Sequence, residues 1–167
     1  MTWDASRTTV ELHDSAADAD SCVRVAAARL LDLAAAHVEV GRLCPRCGSS
    51  AHGRPWVRAA GATVAASVSR AGPHLLIAVH RGSRVGADIE EIRAVDGRWD
   101  PRLVLHPEDA WLDTGPQART DLWCAKEAIL KLRGTGLAQA MTAVPLAGHD
   151  LHRVPVPPGY RAVLALG

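Results

Sequence analysis

Phenylalanine is absent from this 167-residue chain, tyrosine occurs once, and five tryptophans supply nearly all the aromatic content. Together with abundant Ala and Arg, that balance reads as compositional bias of the source genome and points to no function. An excess of either charge is missing too. Lys and Arg number 19 against 18 Asp and Glu, a formal net charge of +1. This removes any global electrostatic case for nucleic acid or an anionic membrane as partner. No apolar run of about twenty residues occurs, so no transmembrane span is expected. The opening M-T-W-D-A-S-R-T-T-V lacks a basic segment followed by an apolar one. A signal peptide is therefore not expected, and a cytoplasmic protein is.

Cysteine is sparse, at positions 22, 44, 47 and 124. Cys44 and Cys47 form C-P-R-C-G, half of a zinc ribbon or a redox pair. No second C-x-x-C follows. His52 is a candidate third ligand, and a fourth is not apparent. The preferred reading is an ordinary reduced pair in a Gly-rich loop, with Cys22 and Cys124 inside helices. A structural disulfide is not expected in a cytosolic protein.

Hydrophobic residues make up 48% of the chain, enough for one core or two small lobes that share one. The most informative stretch runs from Arg84 to Leu137. In R-V-G-A-D-I-E-E-I, Val85, Ala87 and Ile89 alternate with Gly86, Asp88 and Glu90, the pattern of a half-buried strand. Asp88 and Glu90 therefore share a face. L-W-C-A-K-E-A-I-L-K reads as a helix, with Leu122, Ala125, Ile129 and Leu132 as its apolar stripe and Trp123, Glu127, Leu130 and Lys131 on the flank. Glu127 and Lys131 are helical neighbours at i and i+4. If Glu127 faces Asp88 and Glu90, three carboxylates converge. Two such charges about 4 Å apart repel by roughly 4 kcal/mol at an effective dielectric of 20. Hard oxygen ligands of this kind suit Mg²⁺.

V-G-A-D-I-E followed at this distance by W-C-A-K-E-A-I-L-K resembles the two-part signature of 4′-phosphopantetheinyl transferases. The resemblance implies transfer of the phosphopantetheine arm of coenzyme A to a serine of an acyl or peptidyl carrier protein, with release of 3′,5′-ADP. It implies Mg²⁺ (Mn²⁺ being possible) on Asp88, Glu90 and Glu127. Glu127 is then the candidate base, and Lys126 and Lys131 the groups that stabilise the pyrophosphate, Lys131 foremost.

The rest of the chain is read in the same light. Thr9 to His13 is a possible first strand. Asp18 or Asp20 caps a helix expected to run to about His37, with Val23, Ala26, Ala27, Leu30, Leu31 and Leu33 inward. A-A-A-R-L-L resembles the family helix whose arginine, here Arg29, binds a coenzyme A phosphate; Arg24 has weaker support. Gly41 to Val57 is expected to be a turn-rich loop. Its G-R-P, Gly53, Arg54 and Pro55, resembles the segment beside the coenzyme A adenine and phosphates. Val64–Arg70, Leu75–His80 and the Val85 strand follow through tight turns, which implies an antiparallel meander. At the first turn the family usually has S-H-S-G, and this chain has S-R-A-G, Ser69 to Gly72. Arg70 stands in the place of the histidine, and its permanent charge implies phosphate binding with less pH sensitivity. His74 and His80 read as ordinary surface or edge residues. A short helix starts near His106-Pro107-Glu108. The long helix spans about 116–133 and is ended by Gly134 and Gly136. Strands are expected at Ala143–Leu146, Arg153–Val156 and Tyr160–Leu166.

The fold class implied is α+β, with two similar lobes, 1–82 and 83–167, each a helix on a small, mostly antiparallel sheet. This is the plan of the longer, monomeric Sfp-type members of the family. The alternatives are an inactive relative that binds coenzyme A or a carrier, and a zinc- or redox-dependent regulator built on Cys44 and Cys47.

Overall fold

Short alternating apolar segments punctuated by tight turns build most of the chain, and two longer amphipathic segments supply the helices. The computed structural model describes residues 3–44, 46–59, 61–109, 113–135 and 138–167. Strand β1 (Thr8–Asp14) leads to helix α1 (Ala19–Leu31), then β2 (Val38–Leu43), β3 (Arg54–Ala59), β4 (Val64–Ala71) and β5 (His74–Arg81). These strands form one sheet in the order β1-β5-β4-β3-β2. Strand β6 (Val85–Glu91) begins a second sheet. Two short helices follow, α2 (Ile92–Asp96) and α3 (Pro101–Val104), then the long α4 (Pro116–Arg133), β7 (Asp150–Arg153) and β8 (Tyr160–Leu166). The second sheet has the order β6-β8-β7. Every strand pair described is antiparallel, so the fold is α+β with antiparallel sheets, and sheet membership changes between Arg81 and Val85.

Strand parity decides what faces what. On β4 and β5, Ala66, Val68, Leu75, Ile77 and Val79 pack under α1 with Val23, Ala26 and Ala27. The alternate residues Ala65, Leu76 and Ala78 pack against Val85, Ala87 and Ile89 of β6 and against Leu164 of β8. The two sheets are stitched where β4 meets β6: the Ser67 hydroxyl accepts the Ala87 N–H at 2.9 Å. Helix α4 covers the other face of β6. It comes so close that a Cβ on Gly86 would lie 1.9 Å from the Ala128 carbonyl oxygen and 2.6 Å from the Leu132 nitrogen. Glycine at that position is the condition for helix and strand to touch.

Several expectations need correction. Helix α1 stops at Leu31, because Asp32 adopts the left-handed conformation (φ 57°) and its N–H caps Ala28 and Arg29; only a 3₁₀ turn at Ala35–His37 follows. The supposed loop Gly41–Val57 is turn and irregular only in its middle, the described residues between 44 and 53; Gly41–Leu43 and Arg54–Val57 belong to the β2–β3 hairpin, paired from Val38↔Ala59 to Leu43↔Arg54. Met141–Ala143 is a 3₁₀ turn, and the residues to Leu146 form no strand. The next strand is β7 at Asp150–Arg153, earlier than expected. The segment 106–109 is a turn, with no helix at His106. Leu130, assigned to the flank of α4, is core. His80 is buried, within 2.8 Å of the Thr8 hydroxyl. The second terminator of α4, Gly136, lies outside the described residues, as does Leu137. Among the described residues no helix is long and apolar enough to cross a membrane.

Candidate active site

Asp88, on β6, points toward α4 and is 3% exposed. Its Oδ1 accepts the Ser69 hydroxyl at 2.7 Å and the Lys131 ammonium at 2.7 Å. Lys131 also donates to Ser69 Oγ at 2.8 Å and to the Ala87 carbonyl at 3.1 Å. An ammonium has three hydrogens, and all three are spent here. Asp88 Oδ2 is buried and accepts no hydrogen bond. A buried carboxylate oxygen without a partner is costly, and here it lies among further carboxylates.

Two turns of α4 complete the group. Cys124, Glu127 and Lys131 recur at i, i+3 and i+7 and so share the face toward β6. Burial, then repulsion from Asp88, raises the Glu127 carboxyl above its ordinary range; Lys131 opposes this and Glu90 adds to it. Glu90 is raised in the same way, by burial and then by Asp88. Glu90 receives a guanidinium hydrogen from Arg98 at 2.9 Å, and Arg98 also sits over the Trp123 ring at 4.6 Å. Burial and both acidic neighbours, Asp88 and Glu90, keep the Cys124 thiol protonated. The site therefore carries an excess of buried negative charge that Lys131 and Arg98 only partly offset. A divalent cation with oxygen ligands fits that balance, and the orphaned Asp88 Oδ2 is the atom it would satisfy. The oxygens are not gathered as tightly as in a formed metal centre. Among the described residues, Cys44, Cys47 and His52 are the only three acidic, histidine or cysteine side chains with ligand atoms all within 4.8 Å of one another.

Beside this group lies a cleft of about 470 Å³ lined by Gly53, Arg54, Pro55, Ser67, Lys131 and Gly134, with Cys44 and Arg46 at one end. The structure thus brings G-R-P from β3 and Lys131 from α4 to one cavity. Gly53 (φ +108°) is forced: a Cβ there would lie 2.4 Å from the Leu43 carbonyl oxygen. Arg54 extends across the C-terminal cap of α4, where a Cβ on Gly134 would meet its guanidinium at 2.6 Å. Burial lowers the Arg54 pKa, and the neighbouring Arg84 lowers it further. A half-desolvated guanidinium at the cleft wall, with a second positive charge close by on Arg84, favours an anion.

Other sequence candidates lie elsewhere. Arg70 follows Ser69 on β4, so it faces α1 while Ser69 faces β6. It donates to the Ser15 and Ala17 carbonyls at 3.3 and 3.4 Å. Arg29, in the last turn of α1, pairs with Glu11 at 2.7 Å. It stands about 15 Å along the helix axis from the end that Arg70 touches. Neither lines the cleft, so Arg29, Arg54 and Arg70 are not gathered around one point. Lys126 requires the plainest correction. It is fully buried and turned away from the acidic group, ion-paired with Asp109 and bonded to the Val144 carbonyl. Its spacing held the signal, since 126 lies four residues from both Leu122 and Leu130, on the core stripe. The sequence reading also missed Arg98 and Asp109. Nothing in their local pattern marks Arg98, which reaches Glu90 only through the turn after α2.

No curated protein sequence matches this chain. Residues 84–158 match the model of the 4′-phosphopantetheinyl transferase superfamily, a segment that holds Asp88, Glu90, Glu127 and Lys131.

Proposed function

We propose that this protein transfers the 4′-phosphopantetheine moiety of coenzyme A to a serine of an acyl or peptidyl carrier protein. The observation that supports it most is the shared cleft of about 470 Å³, lined both by Arg54 of the first sheet and by Lys131 of α4, whose ammonium pairs with Asp88. In this reading the chain is a two-lobed, Sfp-type member, divided near residue 82 and sufficient as a monomer in the cytoplasm.

The carrier serine oxygen attacks the phosphorus that bears pantetheine. The new P–O bond forms as the bond to 3′,5′-ADP breaks, and ADP departs with the electron pair. Glu127 takes the serine proton, a role suited by the raised affinity for protons that burial and Asp88 give it. Asp88, Glu90 and Glu127 would hold Mg²⁺ or Mn²⁺, which when bound neutralises charge on the pyrophosphate oxygens. Arg54 binds phosphate at the cleft wall. Arg29 and Arg70, which do not line the cleft, keep their partners Glu11 and the Ser15 and Ala17 carbonyls and bind no phosphate there. Lys131 contacts the pyrophosphate by giving up one of its three internal bonds, while Ser69 orients Asp88. Lys126 takes no part in the chemistry and instead anchors α4 to the Asp109 carboxylate and the Val144 carbonyl. The test is release of 3′,5′-ADP from coenzyme A that requires an apo carrier protein. Release must vanish in Glu127→Ala, and release without a carrier, or its survival in that variant, would overturn the assignment.

A further inference from the structure

Cys44, Cys47 and Gly48 lie at the tip of the β2–β3 hairpin, apart from the acidic group and its chemistry. The Gly48 N–H donates to the Cys44 carbonyl at 2.8 Å, and the Cys44 N–H donates to the Ser49 carbonyl at 2.9 Å. Gly48 takes φ +71° with open space around it, so glycine serves the backbone conformation there and no packing need. The backbone N–H groups of Cys47 and Arg46 are directed at the Cys44 sulfur. Such donors stabilise a metal-bound sulfur. Cys47 Sγ lies 3.4 Å from His52 Nε2, and the ligand atoms of Cys44, Cys47 and His52 all fall within 4.8 Å of one another. All four cysteines are free thiols. In a tetrahedral zinc site with Zn–S near 2.3 Å and Zn–N near 2.0 Å, ligand atoms stand roughly 3.5–3.8 Å apart. The observed spacing needs only about 1 Å of side-chain contraction to reach that.

We propose that Cys44, Cys47 and His52 bind one zinc ion, with water in the fourth position, as a clip that closes the hairpin tip. Soft thiolates with one imidazole select zinc over the hard cation expected at Asp88. Among the described residues no fourth acidic, histidine or cysteine ligand joins the group. Cys47 and His52 are exposed, which leaves the fourth position open to solvent. The clip has a structural consequence. The hairpin base is already held by the close packing of Gly53 on Leu43 and Cys44 and by Arg42 donating to the Gly53 carbonyl at 3.5 Å. Fixing the tip as well fixes Gly53 and Arg54, and with them one wall of the cleft. The zinc assignment stands on the hairpin alone and holds whatever the cleft binds.

The experiment uses the full chain without a histidine tag, reduced and stripped of metal, then titrated with Co²⁺ and displaced by Zn²⁺. The expected result is one metal per chain by elemental analysis, with a thiolate-to-cobalt charge-transfer band and the intense visible bands of a tetrahedral site. Cys47→Ser lowers that band by about half or more, the Cys44→Ser, Cys47→Ser double variant abolishes it, and His52→Ala weakens binding by about tenfold or more. Asp88→Ala leaves the zinc stoichiometry unchanged, which separates this site from the acidic one. Circular dichroism of the metal-free variants checks that each still folds. Binding of less than about a tenth of an equivalent by the reduced protein, or a charge-transfer band that survives the Cys44→Ser, Cys47→Ser double variant, overturns the proposal.

Discussion

Replacing Lys126 by methionine should destabilise the protein without touching the acidic group. The ammonium is fully buried against an equally buried carboxylate, Asp109, with side-chain exposures of 0% and 1%. Removing one partner of such a pair costs about 3–5 kcal/mol, because the other charge stays buried and uncompensated. Asp109 would not be wholly abandoned. It still accepts the His106 N–H and the Leu146 N–H, each at 2.9 Å, which places Lys126→Met near 3 kcal/mol. Asp109→Ala is worse. It strands the ammonium and leaves both N–H groups unpaired, at about 1–3 kcal/mol each, so about 5 kcal/mol or more is expected. For a chain of this length each kcal/mol shifts Tm by about 2–4 °C. Lys126→Met should therefore melt roughly 6–12 °C lower, and Asp109→Ala lower still. The double variant should fall well short of the sum, since both changes break one interaction. Urea denaturation of all three measures this. If Lys126→Met kept its stability within about 1 kcal/mol yet lost transfer activity, the ammonium would belong to the chemistry and the buried-pair reasoning would fail.

Other perturbations probe other joints. Gly86→Ala pushes a methyl into the α4 backbone and should cost about 1–3 kcal/mol or more by urea denaturation; a cost under about 0.5 kcal/mol would mean the β6–α4 contact gives way easily. Glu90 and Glu127 have carboxyls raised by burial and by Asp88, so the folded protein holds protons that the unfolded chain has released. Their contribution to stability is present below the unfolded value of about 4.3 and is lost as pH rises through the higher folded values. A divalent cation competes with those protons, so Mg²⁺ should raise Tm more at pH near 7.5 than near 5, and an equal rise at both would contradict this. Arg54→Ala should weaken coenzyme A binding by about tenfold or more, the worth of one charge-assisted hydrogen bond. It should hardly change binding of dephospho-coenzyme A if Arg54 holds the 3′-phosphate, which calorimetry with both ligands decides.

What the sequence disclosed follows from period and punctuation. The β4–β5 hairpin and the spans of β6 and α4 were legible because alternation and helical spacing each ran uninterrupted between glycines; the expected continuation of the meander into β6 fails, because β6 leaves that sheet and pairs with β8. The β2–β3 hairpin was hidden, since Cys, Pro and Gly crowd its tip and the paired residues on either side read as loop. The end of α1 was hidden by Ala34, Ala35 and Ala36, which favour helix, while the terminator is an aspartate in a conformation usually left to glycine. The candidate carboxylates were legible as a face of a strand and a face of a helix. That the two faces meet depends on Gly86, and its role appears only when α4 is seen lying on it. The direction of Lys126 was legible in principle from its place on the apolar stripe, but its neighbour Glu127 drew it toward the acidic group. The division of Arg70 from Ser69 by strand parity is equally simple, yet it has meaning only once each face of the sheet has a known partner.

The central claim is tested most directly by the intact mass of an apo carrier protein after incubation with this protein, coenzyme A and Mg²⁺. Parallel reactions use EDTA and the Glu127→Ala variant, and carriers of peptide-synthetase, polyketide and fatty-acid type are compared. The account predicts a gain of one phosphopantetheine on at least one carrier, abolished by EDTA and by Glu127→Ala. No gain on any carrier, from protein that still binds coenzyme A, would contradict it.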